Sequence, residues 1–466
     1  MTHISRELLT SLNPLSIPKS IEIPKNLPNL IHTDSRNIQK GQWFMPIKGE
    51  KFDGHTFIRS CLEKGVAGFF YEPHYEAHLS DEEKNLGIKV KDSLSFFQDL
   101  ALMWRNMLPV SVIGITGSNG KTTAKEITGH LLSRIGKTLI TQGSYNNEIG
   151  VPLTLAKLTS EHDFAVIEMG ARHKGDIELL CRCSNPNVCV VLNIGTAHLG
   201  EFGNLETLRQ TKQEMFTTTQ RNAIAICPEF DEDSYQVATK FHDKVLTFGT
   251  NRGDICVRPL PCNKAGLMNF EITTPEECFT ETIPTFHRAY PVNFAAAIAI
   301  CHALGITPSR TGPAFAEFTG LAGRFKLYQN KSLMVVDDSY NANPESMKAG
   351  LESIVEGFPN RKLVLVLGDM LELGSSSRHQ HELLGAYCAE IIKPSYLVAV
   401  GIESESMMLS AIEKGVAKER AKHFKNVDAL LDNLDNILNQ GDLLYIKASN
   451  SIGLNRVVQE AIRSFE

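Results

Sequence analysis

Lys121 and Thr122 follow a short glycine-containing loop, residues 116–120 (TGSNG). A lysine ammonium at this position can reach terminal phosphates, and a threonine hydroxyl can bind Mg²⁺. Glycines let the backbone amides of such a loop approach phosphate oxygens. The full pattern G-x-x-x-x-G-K-[ST] is not met, because Ile115 takes the place of its first glycine. Residues 117–122 therefore predict a shortened phosphate-binding loop, with an ordinary strand-to-helix turn as the alternative.

The sequence on either side of this loop favours the phosphate-binding interpretation. Residues 110–115 form an apolar run that is typical of a buried parallel strand. After Lys121, apolar residues recur at helical spacing, and Gly136 is a stop signal. A strand, a glycine loop, a lysine-threonine pair and a helix, in that order, form the arrangement that cradles phosphate groups.

Three further residues have side chains that suit chemistry near phosphates. Glu168 lies at the end of the predicted strand 164–170, and His198 follows the predicted strand 188–195. Because the carboxyl ends of parallel strands meet at one edge of a sheet, both should lie near the phosphate loop. With the loop threonine they suit a Mg²⁺ site, although imidazole is a less usual ligand. His198 alone would be an ordinary loop histidine, and Lys212 alone would be a solvated surface lysine.

The chain is 466 residues long, which predicts about three domains. Residues 1–107 are predicted to form a small α/β substrate domain. Residues 108–308 alternate strands and helices, which predicts a central P-loop ATPase-like domain with a parallel sheet. Residues 309–466 repeat that alternation without a second phosphate loop, which predicts a C-terminal Rossmann-like α/β domain that covers the nucleotide. The predicted fold class is therefore α/β in three domains.

Composition argues against several kinds of partner. The net charge of −6 gives no electrostatic case for binding nucleic acid or an anionic membrane. No apolar run approaches ~18 residues, so no membrane span is expected. The N-terminus lacks the basic and then apolar order of a signal peptide, and the ten cysteines are scattered as free thiols would be. We therefore expect a cytoplasmic protein, with a monomer as the default.

The local residue patterns predict an enzyme that uses ATP and Mg²⁺, with a flanking substrate domain and a capping domain. Amide formation from an acid and an amine fits this layout, and so do kinase action and simple hydrolysis. Polar clusters after strands in the first and third domains could contact ligands. By themselves they are as easily interpreted as solvated turns.

Longer strings, distributed over nearly the entire chain, resemble the Mur ligase family. The most specific are residues 337–344 (DDSYNANP) and 367–374 (LGDMLELG), because related ligases differ there. The other matching strings are residues 34–36, 48–55, 116–123, 146–154, 168–172, 193–199 and 323–324.

The resemblance implies a ligase that phosphorylates a peptide carboxylate with ATP and then joins it to an amine. It implies UDP-N-acetylmuramoyl-tripeptide and D-alanyl-D-alanine as substrates, and ATP and Mg²⁺ as cofactors. It also implies catalytic roles for Lys121, Glu168, His198 and Lys212. Carbamylation would turn Lys212 into a carboxylate-like ligand, so the implied metal ligands are Thr122, Glu168, His198 and the modified Lys212.

The remaining site residues implied by the resemblance fall into two groups. The implied ATP-binding residues are Gly117, Ser118, Asn119, Gly120, Lys121, Thr122, Thr123, Asn293, Arg324 and Asp338. The implied substrate-binding residues are Asp34, Ser35, Arg36, Lys48, Gly49, Asp53, His55, Asn146, Asn147, Asn341, Asn343 and Asp369. Those in the first domain would bind the uridine-diphosphate end of the substrate.

One stretch departs from the family pattern H-N-x-x-N. Asn293 keeps the second asparagine, but Ala289 and Tyr290 replace the first two residues. This substitution predicts the loss of one amide contact to the nucleotide, with adenine stacking on Tyr290 or weaker affinity as its consequence. Two other functions stay open: a sister ligase that adds a diamino acid, and a nucleotide-gated binding protein without turnover.

Overall fold

The computed structural model describes residues 3–49, 52–195, 202, 204–262, 264–329 and 333–464. Three sheets of four, nine and six strands organise these residues, and they occur in chain order. The predicted α/β class is confirmed. Within the described ranges, no helix is both long enough and apolar enough to cross a bilayer.

The first sheet is fully parallel, with the strand order β1-β2-β3-β4. Its strands are β1 (Ile31–His32), β2 (Trp43–Phe44), β3 (Gly68–Tyr71) and β4 (Gly87–Lys89). The α-helices around it are Arg6–Ser11, Leu27–Leu30, Ile58–Glu63, Asp81–Lys84 and Ser93–Asn106, and the 3₁₀ turns are Gly54–Phe57 and Pro73–His78. The polar stretches 34–36 and 48–55 follow β1 and β2, so they begin at the same edge of the sheet.

The central sheet has the order β13-β12-β11-β10-β9-β8-β5-β7-β6. Its strands are β5 (Ser111–Thr116), β6 (Thr138–Ile140), β7 (Phe164–Glu168), β8 (Val188–Val191), β9 (Ile224–Pro228), β10 (Lys244–Gly249), β11 (Ile255–Leu260), β12 (Met268–Thr273) and β13 (Cys278–Ile283). Its α-helices are Lys121–Leu132, Gly150–Ala156, Asp176–Ser184, Leu205–Thr218, Glu232–Phe241, Tyr290–Ala303 and Ala314–Glu317, with a 3₁₀ turn at Pro308–Thr311. The parallel part was predicted, whereas the antiparallel β11-β12-β13 extension was not.

The third sheet has the order β14-β15-β19-β16-β17-β18 and is parallel except for β14. Its strands are β14 (Lys326–Gln329), β15 (Met334–Asp337), β16 (Leu363–Gly368), β17 (Tyr396–Val400), β18 (Ala421–Phe424) and β19 (Leu443–Lys447). Its α-helices are Pro344–Gly357, Ser377–Tyr387, Ser404–Glu413, Val427–Leu431 and Asn455–Ser464. A π-helical turn spans Cys388–Ile392, and 3₁₀ turns span Gly374–Ser376, Lys418–Arg420, Leu434–Asn436 and Asn450–Ile452.

One hydrophobic core joins the first domain to one face of the central sheet. Polar contacts reinforce this junction: Trp104 Nε1 donates to the Leu158 carbonyl at 2.9 Å, and Arg105 Nε donates to the Ser184 carbonyl at 2.9 Å. The other face of the central sheet has a core of its own, and the third domain has two.

The division between the central and third domains lies later than the predicted position after residue 308. Ala314, Phe315 and Phe318 are buried in the central core, and Leu321 packs against it. Phe325 is the first residue of the third domain's core. The packing boundary therefore lies between Leu321 and Phe325.

Gly350 in the helix Pro344–Gly357 provides a test of the third domain's packing. A Cβ at this position would lie 1.9 Å from the Tyr445 hydroxyl, which donates to Asp338 Oδ2 at 2.9 Å. At an open helix position, alanine is more stabilising than glycine by about 0.5–1 kcal/mol. We expect Gly350→Ala instead to lower the free energy of unfolding by about 1–3 kcal/mol, because the site is already full.

Urea denaturation would measure this loss. In a Tyr445→Phe background the clashing oxygen is absent, so part of the loss should disappear. An equal loss in both backgrounds would contradict this account of the packing.

Candidate active site

The predicted phosphate loop lies between β5 and the helix Lys121–Leu132. Gly120 has a φ of +83°, and a Cβ there would lie 2.7 Å from Asn293 Oδ1. Both the backbone conformation and the space therefore require glycine. The same contact places Asn293 directly against the loop.

Asn193, just beyond β8, holds this loop from the side. Its Oδ1 accepts a hydrogen bond from the Asn119 N–H, and its Nδ2 donates to the Asn119 carbonyl, both at 2.9 Å. Its own carbonyl accepts from the Ser118 N–H at 3.0 Å. Asn193 belongs to one of the strings that resemble the Mur ligase family, but its sequence context predicted no role for it. Its side-chain amide, two residues after the end of the buried strand β8, was the feature of the sequence that could have indicated a role at the loop.

Lys121 is near two other charged residues of the site. Its Nζ donates to the carbonyls of Gly117 at 2.7 Å and Ser118 at 3.1 Å. Burial lowers the pKa of this ammonium, the Glu168 carboxylate raises it, and the Arg324 guanidinium lowers it. These residues come from β7 and from the chain just before β14, so remote segments meet at the loop.

Glu168 ends β7 and is 2% exposed. Asn146 Nδ2 donates to its Oε1 at 2.8 Å. Within the described residues its Oε2 is buried and has no hydrogen-bond partner, although Lys125 Nζ lies 3.9 Å away. A buried carboxylate oxygen of this kind is costly unless a cation completes its environment. With the Thr122 hydroxyl it offers the hard oxygen donors that Mg²⁺ prefers, so these residues fit a Mg²⁺ site.

Lys212 lies in the helix Leu205–Thr218 and is 2% exposed, so it is not the solvated lysine that its sequence context suggested. Burial and the nearby Lys121 ammonium lower its pKa to about 7, while the Asp176 and Glu214 carboxylates oppose that shift. Lys212 therefore lies close enough to Lys121 for their charges to interact. The predicted His198 lies outside the described residues.

Two side chains of the third domain donate hydrogen bonds to the phosphate loop or to the helix start that follows it. Arg324 Nη2 donates to Thr122 Oγ1 at 3.1 Å, and its guanidinium lies 4.2 Å from the centre of the Tyr340 ring. Asn343 Nδ2 donates to Asn119 Oδ1 at 3.0 Å. The third domain thus contacts both the lysine-threonine end and the middle of the loop.

A cavity of about 900 Å³ lies between the central and third domains. Of the predicted site residues, those that line it are Ser118, Asn119, Gly120, Lys121, Thr122, Thr123, Asn146, Asn147, Glu168, Asn293, Arg324, Asp338, Asn341 and Asn343. The lining also includes residues for which the sequence predicted no role, among them His287, Tyr340, Glu345 and Lys447. Lys447 Nζ lies 2.7 Å from Asp338 Oδ2, so the two side chains form an ion pair.

Asp369 is not among the residues that line this cavity. Its Oδ2 accepts from the Ile402 N–H at 2.9 Å, and its Oδ1 accepts from the Ser404 N–H at 2.8 Å. Both carboxylate oxygens therefore hold the turn after β17. This geometry gives Asp369 a structural role at that turn, and the substrate contact expected from the sequence stays a prediction.

Tyr290 lines the cavity, but little of its ring is exposed for the adenine stacking that the sequence suggested. Its side chain is 2% exposed, and its ring packs nearly perpendicular to those of Phe294 and Phe318. Its hydroxyl donates to the Arg324 carbonyl at 3.1 Å. Tyr290 therefore supports the segment that carries Arg324.

The predicted first-domain residues lie outside the lining of this cavity. Arg36 Nη2 lies 2.8 Å from Asp34 Oδ2, and this guanidinium holds the pKa of Asp34 well below its usual range. His55 is fully buried: its Nδ1 lies 2.6 Å from Asp53 Oδ1, and its Nε2 accepts from the Glu72 N–H at 3.1 Å. His55 thus orients Asp53 and has no ring nitrogen left for a ligand. Ser35, Lys48 and Gly49 belong to the same two loops.

Three family models match the chain in order. They are described as Mur ligase family, catalytic domain (residues 29–105), Mur ligase middle domain (residues 115–301) and Mur ligase, glutamate ligase domain (residues 323–450). The matches divide at positions compatible with the three sheets.

Similar proteins span almost the full length of the chain. A UDP-N-acetylmuramoyl-tripeptide–D-alanyl-D-alanine ligase of Bacillus subtilis is 32% identical, with 95% of each chain covered. A ligase of the same name from Escherichia coli is 32% identical, with 92% of each chain covered. A crystal structure of MurF from Acinetobacter baumannii matches with a TM-score of 0.87 and 29% identity, covering 99% of this chain and 100% of the other. MurF of Thermotoga maritima in complex with ADP matches with a TM-score of 0.81 and 27% identity, covering 95% and 99%.

Asn193 offers a test of how the phosphate loop is held. We expect Asn193→Ala to weaken ADP·Mg²⁺ binding about tenfold, because the loop peptide at Asn119 loses a donor and an acceptor. Isothermal titration calorimetry would measure the affinity.

Asn187 provides the matched control. It directly precedes β8, at the end of that strand opposite to Asn193, and its Oδ1 accepts from the Val112 N–H. Asn187→Ala should cost stability without weakening ADP binding. Equal loss of affinity in both variants would show that Asn193 acts only through general stability.

Proposed function

The chain belongs to the Mur ligase family, and we propose that it joins D-alanyl-D-alanine to UDP-N-acetylmuramoyl-tripeptide with conversion of ATP to ADP and phosphate. The product is an amide, formed in the synthesis of peptidoglycan precursors. The observation that carries the proposal is the meeting of Lys121, Glu168 and Arg324 at one phosphate loop.

The reaction has two chemical steps. The terminal carboxylate of the tripeptide attacks the γ-phosphorus of ATP, ADP leaves, and an acyl phosphate forms. The amino group of the dipeptide then attacks the acyl carbon, the tetrahedral intermediate collapses, and inorganic phosphate leaves. Both steps bring anionic groups together, and the intermediate must be kept from water.

The residues around the cavity suit these demands. The loop amides and the Lys121 ammonium bind phosphate oxygens, and Arg324 adds a second positive charge from the third domain. Asn293 and Asp338 line the cavity, one from each domain, and we assign both to the nucleotide. Because the third domain covers the loop, it also excludes water from the acyl phosphate.

Thr122 and Glu168 would hold one Mg²⁺, and His198 would contribute to a second. When bound, Mg²⁺ offsets the negative charge of the triphosphate. The buried Oε2 of Glu168, which accepts no hydrogen bond from the described part of the chain, supports the first of these assignments.

Carbamylation of Lys212 is part of the proposal. With its pKa lowered to about 7, much of the amine is neutral at physiological pH and can attack CO₂. The product carries a negative charge, so the repulsion between Lys212 and Lys121 becomes an attraction. This change of sign supports the modified lysine as a metal ligand.

We assign the uridine-diphosphate end of the substrate to the first domain, around Asp34, Arg36 and Lys48. The incoming dipeptide is assigned to the third-domain side of the cavity, near Asn341 and Asn343. The protein is proposed to act in the cytoplasm as a monomer.

Incubation with ATP, UDP-N-acetylmuramoyl-tripeptide and D-alanyl-D-alanine tests the reaction. Phosphate release should require both acceptors, and mass spectrometry should detect the UDP-linked pentapeptide. Lys121→Met should lower the rate by at least about a hundredfold, because the ammonium no longer offsets phosphate charge. Phosphate release that ignores the dipeptide would reject this function, and binding of ATP without turnover would favour the nucleotide-gated binding protein.

Carbamylation can be observed directly by ¹³C NMR with ¹³C-labelled bicarbonate. We expect a carbamate resonance at pH 8 that disappears in Lys212→Met. It should also fade below pH 7, because the amine becomes protonated below its pKa of about 7 and no longer reacts with CO₂. Lys125→Met removes another buried lysine and should keep the resonance. A resonance that survives in Lys212→Met would place the modification elsewhere.

A further inference from the structure

His287 lines the cavity two residues before the stretch that departs from the family pattern. Ala289 and Tyr290, which replace the expected histidine and asparagine, line the same cavity together with Phe325. A methyl group and two aromatic rings make this part of the wall largely apolar. The Tyr290 hydroxyl already donates to the Arg324 carbonyl. Among the four side chains of this wall, the imidazole of His287 is therefore the one that can offer a polar group to a ligand.

The hydrogen bonds of His287 determine which ring nitrogen carries a proton. Nδ1 accepts from the Ala289 N–H at 3.0 Å, so it uses its lone pair, and a neutral ring must carry its proton on Nε2. The ring packs edge-on to Phe325, with the centroids 4.7 Å apart, which limits its rotation. None of the described residues accepts a hydrogen bond from Nε2, and the side chain is only partly buried. The Nε2–H group is therefore oriented by its surroundings and available to a ligand.

The charge of the ring indicates what kind of acceptor suits it. Burial lowers the pKa of His287 to about 4, while the Asp338 carboxylate opposes that shift and the Lys447 ammonium adds to it. The imidazole is therefore neutral at physiological pH. Phosphate oxygens bind charged donors such as Lys121 and Arg324 more strongly than neutral ones. A neutral N–H in an apolar wall suits a neutral acceptor, such as a ring nitrogen of a nucleobase.

We propose that His287 Nε2 donates a hydrogen bond to a ring nitrogen of adenine, an inference that depends on the proposed function. Adenine has acceptor nitrogens at N1, N3 and N7, and the apolar wall suits an uncharged, planar base. Asp338, which we assign to the nucleotide, is close enough to His287 for its charge to act on the ring. The contact takes the place of the amide contact that is lost through Ala289 and Tyr290.

His287→Phe tests this contact, because it removes the donor but keeps an aromatic ring beside Phe325. We expect the Kd for ADP·Mg²⁺ to rise about three- to tenfold, the loss of one neutral hydrogen bond, as measured by isothermal titration calorimetry. His287→Gln supplies an amide donor and should recover part of the affinity. An unchanged Kd in His287→Phe would overturn the inference.

Deaza analogues of ADP identify the acceptor. In 1-deaza-, 3-deaza- and 7-deaza-ADP, a C–H group replaces N1, N3 or N7. We expect one analogue to bind the wild type about three- to tenfold more weakly than ADP, and this difference should disappear in His287→Phe, which has no donor for that nitrogen. If every difference persists in the variant, His287 does not contact the base. If the difference between ADP and its 2′- or 3′-deoxy analogue disappears instead, the contact is to the ribose. Either result would overturn the inference.

His130→Phe is the matched control. His130 is also a partly buried histidine of the central domain that packs edge-on to a phenylalanine, Phe318, but it does not line the cavity. Its Nε2 lies 2.8 Å from the Ala314 carbonyl, so this variant also loses an imidazole hydrogen bond. Its affinity for ADP should equal that of the wild type, and an equal loss in both variants would contradict a direct contact from His287.

The titrations are independent of turnover. A wild-type protein that binds ADP but does not ligate would reject the proposed reaction, while the adenine contact would still be decided by the variants and analogues. A wild-type protein that binds no ADP would reject both.

Discussion

The site depends on holding a flexible glycine loop in one conformation. Glycine is required at position 120. However, a glycine loses more conformational entropy than other residues when the loop is ordered. The Asn193 side chain limits the conformational freedom of the loop because it hydrogen-bonds both the backbone N–H and the backbone carbonyl of Asn119. Asn293 closes the other side of the loop. Much of the ordering cost of phosphate binding is thus met by folding, before any nucleotide arrives.

Around this loop, buried charges depend on one another. Burial and the Lys121 ammonium lower the pKa of Lys212, burial and the Arg324 guanidinium lower the pKa of Lys121, and the Glu168 carboxylate offsets part of the effect at Lys121. Glu168 itself has one oxygen without a hydrogen-bond partner among the described residues. Such an arrangement is costly by itself, and the proposed phosphate groups, Mg²⁺ and modified lysine would supply the charges that offset this cost. Clusters of this kind mark sites built for ligands, because stability alone would not select them.

The structural features that the sequence predicted correctly are those determined by residues close together in the chain. The strand, glycine loop and helix around the predicted phosphate site were confirmed as structural elements, and Asn343 caps the helix that begins at Pro344 by accepting from the Ser346 N–H at 2.8 Å. The strands β11 to β13 were missed because buried and exposed residues alternate in them, unlike the continuous apolar runs of the parallel strands.

The side-chain environments could not be predicted, because their partners lie far away in the sequence. Lys212 is buried by the packing of its helix, and Asp369 finds its donors at Ile402 and Ser404. Tyr290 is enclosed by Phe294 and Phe318. The family strings placed most of these residues in the right domain, but they could not distinguish a ligand contact from a structural hydrogen bond.

The distribution of apolar contacts has a consequence for how firmly the domains are joined. The first two domains share one hydrophobic core. Separating them would cost about 25 cal/mol of free energy for each Å² of apolar surface exposed to water. The third domain has separate cores, and its described contacts with the loop and with Arg288 are largely polar, including ion pairs of Arg288 with Glu352 and Glu356. Water can replace such bonds at little net cost. The first two domains are therefore packed through one apolar core, whereas polar bonds contribute to the junction with the third domain, and raising the ionic strength should weaken that junction.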